Sequence, residues 1–292
     1  MGTIAARAES LLAAAVVATT PVAGGDVCTA IRLRLSDGRS AFLKTRAHAP
    51  TEFFATEARG LRWLADAPGG APVPDVLAVA EDCLILSWVE VSAPTADAAE
   101  RFGRELAATH RAGADAFGAA EDGFIGSLPL PNAARADWAE FWVTRRVQPY
   151  VKAASDRGAL GSRDRASIEA VLDRVADLAG PPEPPARVHG DLWAGNLLWN
   201  TTGAVTLVDP AAHGGHREAD VAMLALFGAP HLPRILDSYR EAFPLSDGWE
   251  ERLPLHHLHP LLVHTTLFGG GYGVRAGQAA RALLSGAAAE PT

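Results

Sequence analysis

The strongest constraint on the fold is a change in sequence periodicity near residue 90. Before that point, residues 28–35 and 40–45 alternate apolar and polar side chains, as β-strands do. After it, helical spacing dominates, most clearly over 164–179. This pattern predicts an α+β fold, and a chain of this length can bury one large core or two lobes that share a cleft. In the two-lobed arrangement, the division falls near residue 90. A small antiparallel sheet with one main helix occupies 1–89, and a larger, mainly helical lobe occupies 90–292.

Local signals define the elements within each part of the chain. In the first part, Thr51 is the predicted N-cap of a helix over 51–65. The predicted strands of this part are 28–35, 40–45, 76–80 and 83–89. The predicted helices of the second part are 97–112, 134–157 and 164–179, with further helix after 217. Between them, a loop over 189–196 precedes a short hairpin formed by 197–199 and 204–208.

Composition and charge argue against several classes of binding partner and several cellular locations. The net charge of −8 and the absence of a basic stripe argue against nucleic acid as a partner. No apolar run approaches the ~20 residues that span a bilayer, and the run at 11–18 favours a first amphipathic helix over an export signal. Two cysteines cannot form a disulfide framework, which agrees with the cytoplasm as the expected location. Nothing in the composition decides the oligomeric state.

The loop at 189–196 carries the residues that point most directly to chemistry. Asp191 and Asn196 have the D-x-x-x-x-N spacing in which a carboxylate meets an attacking hydroxyl while an amide oxygen binds magnesium. Asp209 follows at the end of the next strand, and hard oxygen ligands of this kind suit Mg²⁺. A polar turn would explain the first two residues alone, and Asp209 alone could start a turn before Pro210. The three together favour a phosphoryl-transfer site.

A second group of residues fits phosphate binding. Lys44 and Lys152 are the only lysines among 26 basic residues, so a lysine at the end of a strand is notable in this chain. Glu57 lies on the apolar face of the following helix, where an unpaired carboxylate would be costly, and Lys44 is its natural partner. Gly24 and Gly25 precede the first strand and could cover phosphates, although a plain turn explains two glycines nearly as well.

These motifs together resemble the fructosamine kinase (ketosamine-3-kinase) family over nearly the whole chain. The resemblance rests on the segment His-Gly-Asp-Leu-Trp-Ala-Gly-Asn at 189–196, on Asp-Pro-Ala at 209–211 and on Gly-His-Arg-Glu-Ala-Asp at 215–220. Gly-Gly-Asp at 24–26, Lys44 and Glu57 also match. The resemblance implies a protein-kinase-like fold, ATP and Mg²⁺ as cofactors, and phosphorylation of the C3 hydroxyl of a free or protein-bound ketoamine sugar.

The same resemblance implies roles for individual residues. Asp191 would be the catalytic carboxylate, Asn196 and Asp209 the metal ligands, and Lys44, held by Glu57, the phosphate-binding group. Main-chain groups of Ser87 and Val89 would contact adenine, although the family usually has a glutamate where Ser87 stands. The expected substrate-side residues are Trp193, His216, Arg217 and Glu218.

Two other functions remain open at this point. The H-G-D-x-x-x-x-N core is shared with phosphotransferases for aminoglycosides and choline-like compounds, and the acidic balance of the chain suits a cationic substrate. A nucleotide-binding pseudoenzyme is the third possibility, and the intact set of acidic and basic residues argues against it.

Several further residues have an ordinary structural explanation. Pro254 and Pro260 are expected to break the helix that would align the nearby histidines, so no metal site is predicted there. Asp220 is expected to cap the next helix, whose segment could brace the loop at 189–196. Cys28 is favoured as a small strand residue over a redox-sensitive thiol.

Overall fold

The computed structural model describes residues 2–23 and 27–286. Its first region contains α1 (Gly2–Leu12), β1 (Val16–Pro21), β2 (Thr29–Leu35), β3 (Ser40–Thr45), α2 (Phe53–Ala65), β4 (Val76–Val79) and β5 (Cys83–Ser87). The second region begins with α3 (Ala96–Arg111), β6 (Gly123–Ile125), β7 (Leu128–Leu130), α4 (Trp138–Phe141), a π-helix (Trp142–Val147), α5 (Gln148–Asp156), α6 (Ser162–Leu172) and α7 (Val175–Leu178). It continues with β8 (Ala186–Val188), a 3₁₀ turn (Ala194–Asn196), β9 (Leu197–Trp199), β10 (Val205–Leu207), β11 (His213–Gly215), α8 (Glu218–Phe227), α9 (Leu232–Ala242), α10 (Trp249–Phe268) and α11 (Tyr272–Gly286).

The N-terminal sheet has five antiparallel strands in the order β1-β2-β3-β5-β4. One face packs against α1, where Ala8 meets Leu43 and Ile85. The other face packs against α2, where Phe54 meets Leu86. Because successive side chains of a strand point to opposite faces, both faces of the central strands are apolar and both are covered by a helix.

Two local expectations in this region are wrong. The apolar run at 11–18 is not one helix, since α1 ends at Leu12 and β1 begins at Val16, whose backbone N–H is bound by the Glu9 carboxylate at 2.8 Å. β-branched residues in 16–20 favour the strand once β2 is available to pair with it. Thr51 does not cap α2, because Glu52, with φ of 66°, occupies the N-cap position without a side-chain cap bond. The helix starts at Phe53.

The C-terminal region has two apolar clusters. The first joins α3 and α9 to the hairpin β9–β10, with Phe102, Tyr239 and Leu207 among its buried members. The second joins helices α4, α5 and α6 to α10 and α11, and it includes Phe141 and Leu262. The loop at 189–196 lies between β8 and β9, next to the second region's buried apolar clusters.

The predicted boundary after residue 89 falls in the segment between β5 and α3. The sheet is complete at Ser87, and Val91 in the joining segment forms a bridge with Asn200 of the second region. The backbone N–H of Leu207 also donates a hydrogen bond to the carbonyl oxygen of Pro72 at 2.8 Å. The division at residues 89 and 90 stays a prediction.

Helix α10 overturns the expected break at its prolines. Pro254 and Pro260 both lie inside a helix of 20 residues. Proline removes a backbone donor and normally interrupts a helix. Here Leu255, Leu258 and Leu262 are fully buried along the same helix, and this packing outweighs the local preference. Within 2–23 and 27–286, none of the helices has the length and apolar character needed to cross a membrane.

Candidate active site

The loop at 189–196 is held in shape by a buried carboxylate from α8. Asp220 accepts the backbone N–H of His189 at 2.7 Å and that of Gly190 at 2.9 Å. It also lies 3.1 Å from the imidazole of His110, which in turn contacts the hydroxyl of Tyr239 at 2.8 Å. Although burial opposes the charged form, these hydrogen bonds lower the pKa of Asp220. Asp220 is not an N-cap, since α8 begins at Glu218, and it does brace the loop.

Two glycines allow the loop its conformation. Gly190 has φ of 81°, and a Cβ there would overlap the carbonyl oxygen of Ala211. A Cβ on Gly195 would overlap the indole ring of Trp193. The glycines at these two positions therefore let the chain turn sharply and let the Trp193 ring lie over residue 195.

The predicted catalytic carboxylate, Asp191, and a predicted metal ligand, Asn196, lie side by side in the cleft. The Asn196 side-chain amide donates to the Asp191 carbonyl at 2.8 Å and lies 3.3 Å from the Asp191 carboxylate. Burial, followed by the nearby charge of Asp209, raises the pKa of Asp191 to about 7. A carboxylate with such a pKa can accept a proton near neutral pH.

Lys44 joins the two lobes across the cleft. Its Nζ atom lies 2.9 Å from both carboxylate oxygens of Glu57 and 2.9 Å from Oδ1 of Asp209. Burial disfavours the ammonium, but the two carboxylates outweigh it and raise the pKa of Lys44. Burial also disfavours the charged form of Glu57 and raises its pKa. The two short hydrogen bonds from the Lys44 ammonium nevertheless favour the ionised pair. Asp209 has φ of 55°, a left-handed conformation that aspartate tolerates better than most residues.

One cavity of about 660 Å³ contains most of the predicted site residues. It is lined by the described members Lys44, Glu57, Ser87, Val89, Asp191, Trp193, Asn196 and Asp209. Gly24 and Gly25 lie outside the described residues. Asn132 and the end of α10 also line the cavity, and no sequence motif had pointed to them.

The donor set of the cleft fits a magnesium ion. Asn196 uses its amide N–H₂ toward Asp191, which leaves its oxygen available as a ligand. Asp209 supplies a carboxylate that is still half exposed, and both oxygen ligands are the kind Mg²⁺ prefers.

The structure places three predicted substrate-side residues away from the cleft. Arg217 makes two 2.6 Å hydrogen bonds to Glu183, and Glu218 is 0% exposed and receives both a 3.0 Å and a 2.6 Å bond from Arg252. His216 is buried nearby and does not line the cavity. These contacts do not favour direct substrate contact by the three side chains, because ion pairs already use the polar groups of Arg217 and Glu218 and because His216 is buried.

Three of the buried side chains in this region lie close enough together to resemble a metal site. His216, Glu218 and His256 could each offer an atom within 4.8 Å of the others. Arg252, however, occupies both oxygens of Glu218, and a bound guanidinium disfavours a cation at the same place. His257, His259 and His264 instead bond backbone carbonyls of Ala222, Arg146 and Pro260.

Solved structures define the fold. The gentamicin–APH(2″)-IIa complex aligns with a TM-score of 0.65 at 14% identity, covering 97% of this chain and 96% of that chain. At this identity the likeness shows the fold alone. Together with the cleft, it identifies a two-lobed, protein-kinase-like fold.

Closer similarities identify the family. The family model described as fructosamine kinase matches residues 3–286, and the chain belongs to that family. A protein of Thermus thermophilus described as a candidate ketoamine kinase is 37% identical over 254 residues, which is 86% of this chain and 88% of the relative. A crystal structure of a candidate fructosamine-3-kinase from Thermobifida fusca is 48% identical, with a TM-score of 0.94 and coverage of 98% of this chain and 99% of that chain.

Proposed function

We propose that this protein is an ATP-dependent ketoamine kinase that phosphorylates the C3 hydroxyl of a fructosamine-type sugar. The observation that carries the proposal is the convergence of Asp191, Asn196, Asp209 and the Lys44–Glu57 pair on one cleft. Membership of the fructosamine kinase family and the similarity to a candidate fructosamine-3-kinase support the choice of acceptor.

Asp191 is the group that handles the proton. Its carboxylate lies beside Asn196 at the base of the cleft, where the acceptor hydroxyl would reach it. As the hydroxyl oxygen forms its bond to the terminal phosphorus, the bond from phosphorus to the bridging oxygen breaks, and Asp191 takes up the hydroxyl proton. The products are the sugar 3-phosphate and ADP.

The other site residues hold the phosphates and their counter-ions. Lys44 would bind phosphate oxygens, and Glu57 fixes its position from α2. Asn196 and Asp209 would hold Mg²⁺, which neutralises charge on the phosphates. Main-chain groups of Ser87 and Val89 are the proposed adenine contacts. Trp193, which is 42% exposed on the cleft wall, would pack against the sugar.

A direct assay tests the proposal. The protein is incubated with Mg-ATP and either fructosamines, free sugars or aminoglycosides, and phosphorylation is followed by ADP release and by ³¹P NMR of the product. We expect turnover of fructosamines with phosphate on C3, and turnover lower by a factor on the order of 100 or more with Asp191→Asn at the same protein concentration. Preferred turnover of an aminoglycoside or a free sugar would contradict the proposed acceptor, while absence of turnover with every acceptor would support a pseudoenzyme.

A further inference from the structure

The last turns of α10 form one wall of the cleft. Val263, His264, Leu267 and Phe268 all line it, and their spacing places them along one side of a helix. These residues are called the α10 wall below. Phe268 is 56% exposed, and among the described residues it and Trp193 are the large exposed aromatics that the cavity contains. Clefts lined by apolar and aromatic side chains are typical of binding sites for small molecules.

The α10 wall is firmly supported from behind. The imidazole of His264 lies 4.9 Å from the ring of Phe227, 5.0 Å from that of Tyr272 and 5.6 Å from that of Phe268. Its Nδ1 atom bonds the Pro260 carbonyl at 2.8 Å. Such a packed aromatic group presents a preformed surface, which binds a ligand at a smaller entropic cost than a flexible one.

The position of the wall places it away from the segment expected to hold adenine. A Cβ on Gly126 would lie 3.3 Å from Cδ1 of Leu267, so the turn between β6 and β7 abuts the wall. The same hairpin reaches the first lobe through Phe124, whose ring lies 5.1 Å from that of Phe53 on α2. The wall therefore belongs to the side of the cleft formed by α2 and the β6–β7 hairpin, whereas Ser87 ends β5 and Val89 follows that strand.

The charged side chains that line the cleft lie outside the α10 wall. Among the described residues that line it, the carboxylates are Glu57, Asp191 and Asp209, and the ammonium is Lys44. The wall adds only His264, whose pKa is lowered by burial, so that the ring is neutral at pH 7. A charged group lying against this wall would lose water without gaining a partner.

In a ketoamine, three carbon atoms separate the C3 oxygen from the amine nitrogen, so the amine substituent must leave the site close to the reacting centre. We infer that the α10 wall binds this substituent and that Phe268 makes the enzyme prefer ketoamines of apolar, aromatic amines. This inference rests on the proposed function, and it names a substrate class within it. Phe268 is a specificity-determining residue in this arrangement, and Asp191 remains the proton acceptor.

Three synthetic fructosamines that differ only in the amine provide the test. Their amine substituents are methyl, benzyl and 5-aminopentyl, the last ending in an ammonium. Burial of the phenyl ring against Phe268 should raise kcat/KM for the benzyl compound about tenfold over the methyl compound, chiefly through KM. The 5-aminopentyl compound should gain no comparable advantage.

Variants then assign the preference to the wall. Phe268→Ala should reduce the benzyl-to-methyl ratio of kcat/KM to near one, chiefly by raising KM for the benzyl compound. Phe268→Leu keeps an apolar surface and should retain part of the preference. Val274→Ala is the matched control, since Val274 is 49% exposed and lies outside the cavity lining, and it should retain the full ratio.

The outcomes separate the two proposals. Equal kcat/KM values for the benzyl and methyl compounds in the unmodified enzyme overturn the inference and leave the ketoamine kinase intact. The same holds if Phe268→Ala slows both compounds equally, or if the 5-aminopentyl compound is preferred. If none of the three is phosphorylated while the protein is folded and binds Mg-ATP, the proposed function itself fails.

Discussion

Lys44 and Glu57 form a buried ion pair across two elements, with the ammonium 2.9 Å from each carboxylate oxygen. Strand β3 supplies the lysine and helix α2 supplies the glutamate. Because Asp209 binds the same ammonium at 2.9 Å, Lys44 connects the first lobe to a proposed metal ligand of the second. The position of α2 therefore affects both lobes of the site.

Removing the ammonium should weaken nucleotide binding. Lys44→Met deletes the phosphate-binding charge and leaves Glu57 buried without a partner, so we expect Mg-ATP affinity to fall at least about tenfold. Lys152→Met is the control, because Lys152 is exposed and, among the described residues, forms its ion pair with Asp156 on the same helix. Isothermal titration calorimetry with Mg-ATP measures both variants. Equal affinities for the two would contradict the role of Lys44.

Asp191 and Asp209 should fail in different ways. Asp191→Asn should keep Mg-ATP affinity and lower kcat by a factor on the order of 100 or more, as loss of a positioned base does. Asp209→Asn removes charge from a metal ligand, and should weaken magnesium-dependent nucleotide binding and the rate together. Its defect should recover partly as magnesium is raised. Calorimetry over a magnesium series, with kinetics in parallel, compares them, and the reverse pattern would exchange the two assignments.

Glu218 should act on stability and not on substrate affinity. Glu218→Gln leaves the buried guanidinium of Arg252 without its counter-charge. We expect this to lower the free energy of unfolding by about 3–5 kcal/mol. Glu250→Gln, at an exposed position of α10, should cost little. Urea unfolding and the KM for a fructosamine are measured for both. A stable Glu218→Gln protein with a strongly raised KM would restore the substrate role predicted from the sequence.

Buried neutral histidines should make the protein less stable in mild acid. Burial is the main cause that lowers the pKa of His216 and of His259 to about 3, against 6.5 for the free side chain. Between pH 6.5 and 5 the unfolded chain binds protons that the folded chain does not, so the free energy of unfolding falls with pH. At pH 5, each of these histidines should lower the free energy of unfolding by about 2 kcal/mol relative to its value well above pH 6.5.

A variant isolates one of these histidines. His259→Asn can keep the hydrogen bond to the Arg146 carbonyl but cannot titrate in this range. Urea unfolding at several pH values from 5 to 7 should therefore show a shallower dependence for the variant than for the parent. An unchanged slope would mean that His259 is not neutral in the folded protein or is not buried in solution.

Local sequence was sufficient for much of the fold and fails where distant segments compete. The hairpin β2–β3 was predicted within two residues at each end because its alternation and turn are both local. The strand β1 was missed because residues 16–21 become a strand only by pairing with β2. The prolines of α10 were predicted to break a helix that buried packing continues.

The sequence by itself determined the chemical groups of the site. The spacing of Asp191, Asn196 and Asp209 and the placement of Lys44 on a strand and Glu57 on a helix are properties of the chain, and the structure gathers them in one cleft.

The tertiary structure alone decided which neighbouring polar residues face that cleft. His216, Arg217 and Glu218 follow the motif in sequence but turn into the interior, where Glu183 and Arg252 pair with two of them. Phe268, with no motif around it, lines the cleft because α10 ends there. A motif specifies residue types along the chain, whereas exposure depends on packing between segments far apart in sequence, and that packing is set by the whole fold.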